Sequence, residues 1–316
     1  MAQLDRAPDY ESGGREFESL PARQKKMFKK LSIKQKGLLL AFTGVMIITP
    51  DTLVIRMVTI DTWNLLFYRS LFPGAALLIG YLVIFGNQTI NHFLAIGRPG
   101  LLNALLIMCS NVAFILALAN TNVANALIMI SLVPLIASIF SFIFLNERPE
   151  LITWICSFLC LMAVIFIFYE SYSLNTYLGD FYGIICASFV AGSLTIMRRH
   201  THINFVPSYI LGKLITAFLC IFLVSTFVVG AYDLLFFCIM IVTIGISFVF
   251  ISLAPQYISS PEIGIFFLLE TALGPLWVWY FIGENPTLNT LIGGIFIVMI
   301  IFTHSYYMIK KEQKLM

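Results

Sequence analysis

The sequence predicts an all-α membrane protein of ten transmembrane helices, arranged as two inverted five-helix repeats. Three observations carry that expectation: a scarcity of charge, a succession of apolar runs each long enough for a bilayer, and two runs that echo one another. Hydrophobic residues make up 59% of the 316 and charged residues only 11%, against about 25% charged in soluble domains. A folded chain so short of charge would present broad apolar patches to water. Its natural solvent is lipid.

A hydrocarbon core about 30 Å thick is crossed by roughly 20 apolar residues of helix. From Gly37 onward the chain offers ten such runs, near 37–57, 63–85, 99–119, 123–145, 151–169, 178–197, 207–230, 234–257, 260–282 and 287–309. The connections are short and leave no room for a soluble domain. The first repeat is placed at 31–170, the second at 178–309, and a cytoplasmic tail at 310–316. Residues 1–30 read as a disordered polar and basic tail, unable to bury enough apolar surface to offset chain entropy. They lack the apolar segment of a secretory signal. The first 23, "MAQLDRAPDYESGGREFESLPAR", resemble translation through a transfer-RNA gene, so a mis-called start with the true chain beginning near Met27 is expected.

Lysine and arginine set the expected orientation. Lys25, Lys26, Lys29, Lys30, Lys34 and Lys36 precede the first run. With that end inside, Arg98, Arg148, Arg198, Arg199, Lys310, Lys311 and Lys314 also fall inside, while Asp61, Glu170, Asp180, Asp233 and Glu284 fall outside. Both termini are expected in the cytoplasm, and the chain in a bacterial inner (plasma) membrane.

The repeat shows in the fourth and ninth runs. "ANALIMISLVPLIASIFSFIFLNERP" and "SPEIGIFFLLETALGPLWVWYFIGENP" align without gaps, with Leu132 on Leu269, Glu147 on Glu284 and Pro149 on Pro286. Five spans per half is an odd number, so the second half enters the membrane from the opposite side. Carriers built this way hold their site near the midplane between the halves.

Charges within hydrocarbon are costly and mark function. Asp51, Arg69, Lys213 and Glu270 are the candidates. Asp51 lies six residues before the end of the first run and Arg69 six after the start of the second. Along the rise of a helix, both sit some 9 Å in from the same interface. They read either as a pair divided by a substrate or as a structural tie between the first two helices. Pro50 withdraws a backbone donor and breaks the helix, an interruption tolerated at depth where it lines a cavity. Lys213 stands in the second half where Arg69 stands in the first, either lining the cavity or snorkelling to the interface. Glu270, near the centre of the ninth run, is the candidate for a proton- or substrate-linked group. Asn111 and Asn125 are candidates for polar contacts along the pathway, with Asn120 and Asn122 behind them; interhelical hydrogen bonds explain these amides equally well.

Other features have plainer readings. Gly179, Gly183, Ala187 and Ala191 recur every four residues, a spacing that permits close helix packing. Trp277, Trp279 and Tyr280 suit an interfacial aromatic belt, with a cap over the cavity as the alternative for some of them. The six cysteines lie in apolar runs without metal or disulfide spacing and are read as packing thiols. His200 and His202 belong to a basic loop. The sequence has no phosphate-binding loop, dinucleotide fingerprint, zinc-protease motif or nucleophile elbow, so no enzyme, cofactor or metal site is expected.

The two aligned runs, together with "FYRSLFPGAALL" in the second span, resemble the drug/metabolite transporter superfamily, EamA type, over about residues 37–309. That resemblance implies an inverted-repeat carrier with a central cavity, moving small metabolites by alternating access. Its members commonly carry Glu-Pro where this chain has Glu270-Thr271, which argues against a matching helix break in the ninth span. An acid and two bases in one cavity suit an amino-acid-like or other zwitterionic solute. A lipid-linked-sugar flippase and a non-transporting scaffold are the alternatives. The partners implied are the bilayer and a small-molecule substrate, coupled to protons or to exchange; a homodimer is allowed and no nucleic acid is expected.

Overall fold

The computed structural model describes residues 32–121, 123–169, 177–224, 226–227, 229–283 and 285–315. The polar N-terminal tail, Asn122, Glu170 and Glu284 lie outside them. No strand occurs among the described residues. Among the described residues, nine helices are long and apolar enough to cross a membrane: Ile33–Met57, Thr62–Phe85, Gly97–Asn120, Asn125–Leu145, Leu151–Phe168, Tyr177–Arg199, Ala231–Gln256, Ser260–Ile282 and Leu288–Lys314. A shorter apolar helix, Val206–Cys220, stands in the seventh place. We number these ten segments as spans 1–10 in chain order.

Small residues face inward and bulky ones outward, as helix association in lipid favours. Ala41, Ala104, Ala126, Ala187 and Ala191 are wholly buried, whereas Val83, Ile84 and Phe222 are more than 70% exposed. Gly264 of span 9 shows how close the approach becomes: a Cβ there would meet the Pro134 Cα of span 4 at 2.8 Å. Gly179 and Gly183 of span 6 are equally tight against Thr121 and Met129, so the small-residue stripe is a packing face.

The contacts have the pattern of a two-fold exchange between halves. Span 2 packs on span 7, span 4 on span 9, and span 5 on span 10. Span 3 packs on span 6, and its counterpart pair, span 8 with span 1, does the same. Spans 4 and 6 mirror 9 and 1, and spans 3 and 7 mirror 8 and 2.

Several spans are not simple helices. Span 1 consists of Ile33–Ile48 and Asp51–Met57, separated by a turn at Thr49-Pro50. Proline has no N–H for the Met46 carbonyl four residues back; the Thr49 hydroxyl donates to that carbonyl instead, at 2.9 Å. Span 4 breaks too, into Val123–Ile130 and Val133–Leu145. Here Pro134 deprives the Ile130 carbonyl, and the Ser131 hydroxyl donates back to Ile128 at 2.6 Å. Span 8 carries a π-helical segment, Ile241–Ile246, facing span 2; single π turns collect at functional sites. Span 9 runs unbroken through Glu270-Thr271, in keeping with the missing proline.

Two features depart from the sequence reading. The seventh run, expected over 207–230, is helical only over Val206–Cys220. The following stretch, IFLVSTFVVG, holds three Val residues and closes on Gly230, residues of low helix propensity. The second is a short helix, Thr89–Ala95, between spans 2 and 3, with Ile90 and Leu94 exposed on one side.

Candidate functional site

The broken first span delivers Asp51 to the interior. Asp51 opens the second piece of the span and accepts a hydrogen bond on Oδ2 from Arg69 Nη2 of span 2 at 2.6 Å. The two side chains are 1% and 7% exposed. The antiparallel pairing expected from their equal depths is therefore present. The pair is only half satisfied: Asp51 Oδ1 and Arg69 Nε are buried and have no partner among the described residues. The guanidinium also lies over the Phe114 ring, 5.0 Å from its centroid, within cation–π range. A buried ion pair is favourable only when its remaining valences are filled. These are left open.

Lys213 does not reach out to the interface. It is buried to 1% exposure and donates from Nζ to Asn111 Oδ1 at 2.7 Å. Asn111 is held in that pose because its Nδ2 donates to the Ile107 carbonyl of its own helix at 2.8 Å. The ammonium stands 5.6 Å from the centroid of Tyr209, which is stacked on Phe248 at 4.8 Å. The Tyr209 hydroxyl is buried without a partner among the described residues.

Asp51, Arg69, Asn111, Lys213 and Glu270 line one cavity of about 90 Å³ between the two halves. Glu270 makes no hydrogen bond or ion pair among the described residues. A second chamber of about 40 Å³ shares Ser110, Asn111, Val190, Phe248 and Phe267 with the first. Its wall carries a chain of polar contacts: Ser193 donates to Asn103 Oδ1 at 2.7 Å, and Asn103 Nδ2 donates to Ser208 at 3.0 Å. Repeat register and cavity coincide. The offset set by Leu132 and Leu269 (269 − 132 = 137) places Ile130 on Phe267 and Val133 on Glu270, and all four line the larger chamber.

Asn125 is not brought to this cavity. It is fully buried and donates to Asp180 Oδ1 of span 6 at 3.3 Å, an interhelical contact at the end of the bundle opposite the lysine-rich one. Trp277, expected in an aromatic belt with Trp279 and Tyr280, instead donates from Nε1 to Thr49 at 3.0 Å and braces the break in span 1. Trp279 and Tyr280 remain exposed. Sequence reasoning missed Asn103, Ser110, Phe114, Cys186, Tyr209, Phe248 and Phe267. One signal was available: Asn103, Ser110, Asn111 and Phe114 fall on one face of span 3 at helical spacing.

Polar ties between segments stand toward both ends of the bundle. At the lysine-rich end, Lys34 pairs with Glu262 at 3.3 Å, and Arg198 pairs with Glu147 at 3.0 Å while donating to the Pro255 carbonyl. At the other end, Asp233 accepts from the Thr59 backbone N–H at 3.0 Å and from its hydroxyl.

Residues 35–169 match the model of the EamA-like transporter family. No curated protein matches the sequence. A solved crystal structure of a protein is 18% identical with a TM-score of 0.69, covering 84% of this chain and 95% of that one. At that identity the likeness speaks for the fold alone.

Proposed function

We propose that this chain, a multi-pass membrane transporter of the drug/metabolite type by the EamA-like family domain at residues 35–169, moves a small zwitterionic, amino-acid-like solute by alternating access. One observation carries the reading: two acids and two bases line a single cavity at the seam of the halves, Asp51, Arg69 and Lys213 buried and Glu270 partly so, with Asp51 Oδ1 and Arg69 Nε unfilled among the described residues. Arg69 Nε and the Lys213 ammonium are the donors for a solute carboxylate. Asp51 Oδ1 and Glu270 are the acceptors for its ammonium. A solute carrying both charges leaves the cavity neutral, which keeps the desolvation penalty low for binding and for passage.

Alternating access then amounts to exchange of the two sets of ties. Release of Lys34–Glu262 and Arg198–Glu147 opens the basic end; release of Thr59–Asp233 opens the other. The arginines and lysines clustered at one end support a cytoplasmic placement of both termini in a plasma membrane. Glu270, without a protein partner, is the group we assign to coupling, whether by proton carriage or by exchange of one solute for another.

Reconstitution into proteoliposomes tests this. Radiolabelled zwitterionic amino acids are expected to accumulate against wild-type protein, with flux abolished by Asp51→Asn and by Glu270→Gln at unchanged protein yield. Absence of movement for every zwitterion tried removes the substrate class. Wild-type flux in both variants removes the roles assigned to the two carboxylates.

A further inference from the structure

Away from the central cavity, the face formed by spans 3, 4 and 6 carries an open groove of about 430 Å³, within the roughly 300–1,000 Å³ typical of ligand sites. Leu102, Leu106, Phe140 and Phe144 wall it, and Gly192 forms its floor. The polar atoms inside are already committed. Ser188 donates to the Ile184 carbonyl at 2.8 Å and Thr195 to the Ala191 carbonyl at 2.7 Å, each along its own helix. The groove therefore offers an apolar slot to the lipid that bathes it.

Its basic end is different. Arg199, the last residue of span 6, lines the mouth of the groove and is exposed. It engages no carboxylate or carbonyl among the described residues, although its neighbour Arg198 binds both Glu147 and Pro255. Arg98 lies four residues before Leu102 on span 3, hence on the same helical face, and it too is exposed and unpaired among the described residues. Two free guanidinium groups thus frame the end of an acyl-sized slot. Guanidinium forks match phosphate oxygens in a bidentate manner, and basic pockets between membrane helices recruit anionic headgroups.

A second, larger groove supplies an internal contrast. It meets the first at Phe189 and extends toward the opposite end of the bundle, past Tyr182, Trp63 and Cys220, where span 7 stops short. No charged side chain lines it. Lipid fills it by apolar contact alone, with nothing to select a headgroup.

We propose that the groove between spans 3, 4 and 6 is a binding site for an anionic phospholipid, its acyl chain lying from Phe144 to Phe189 and its phosphate held by Arg98 and Arg199. The site is separate from the transport cavity and does not depend on what that cavity carries.

Native mass spectrometry of delipidated protein titrated with phosphatidylglycerol and with phosphatidylcholine of the same chains tests the proposal. Phosphatidylglycerol is expected to bind at least tenfold more tightly. Arg98→Gln and Arg199→Gln are each expected to reduce that preference by about fivefold, in line with the attraction of one surface cation to anionic lipid. Gly192→Leu fills the slot, since even a Cβ there lies 3.4 Å from Leu106 and 3.8 Å from Phe140; it is expected to weaken binding of both lipids. Should that variant fail to fold, the two exposed arginine variants decide alone. Equal binding of the two lipids by wild type, or an unchanged preference in the arginine variants, overturns the proposal. Flux plays no part in this readout, so the lipid site and the transport assignment fail independently.

Discussion

Asp51 and Arg69 share one hydrogen bond where their chemistry would allow two or more, a shortfall on which the proposed solute-binding role rests. Removing one partner of a buried pair strands the other charge and costs about 3–5 kcal/mol. Asp51→Ala should therefore lower the thermal midpoint sharply. Asp51→Leu combined with Arg69→Met should recover much of that loss while leaving flux at zero, as seen by melting and transport on the same preparations. Lys213 provides the complementary case. Its ammonium is fully buried and bonded to a single neutral amide oxygen. Met fills similar space without the charge, so Lys213→Met should melt no lower than wild type and lose at least tenfold in flux. A drop in both quantities would mark Lys213 as structural.

Pro50 and Thr49 act at the scale of the element. Proline removes the donor for the Met46 carbonyl, the Thr49 hydroxyl replaces it, and Trp277 locks that hydroxyl from span 9. Pro50→Ala restores the missing N–H, heals the helix and rotates Asp51 away from Arg69. Helical content by circular dichroism should hold or rise as flux falls. The close approach of spans 4 and 9 makes a separate prediction. At Gly264, where the nearest neighbour is the Pro134 backbone, valine should cost about 1–3 kcal/mol through overpacking. Much of this element scale was legible: apolar length located every span, and proline after threonine located the first break. The second break was missed because Pro134 sits within "SLVPLIAS", a run with no charge to draw attention to it. Span 7 was read too long for a related reason. Hydropathy does not mark where a helix stops, so the apolar run that follows Cys220 was read as more of the same helix. The charged members of the site could be found by depth along a span, whereas Tyr209, Phe248 and Phe267 could not, since an aromatic in an apolar run looks like any lipid-facing residue until the fold turns it inward.

At the scale of the whole molecule, the pairing of spans 2 with 7, 4 with 9 and 5 with 10 gives each half its mirror partner, and the charged cavity lies where the halves meet. Polar ties between segments stand at each end of that arrangement, and the proposed transport cycle uses them as its two gates. In the proposed cycle, water and solute reach this cavity from each side in turn. Ser110 lines both chambers, which makes it the reporter of choice. With the native cysteines replaced, a Ser110→Cys variant in sealed vesicles can be challenged with a membrane-impermeant thiol reagent from the outside and, separately, from the lumen. Labelling from both sides, with a saturating zwitterionic solute protecting the thiol from each, is the predicted result. A thiol unreactive from both faces, with and without solute, would contradict the account.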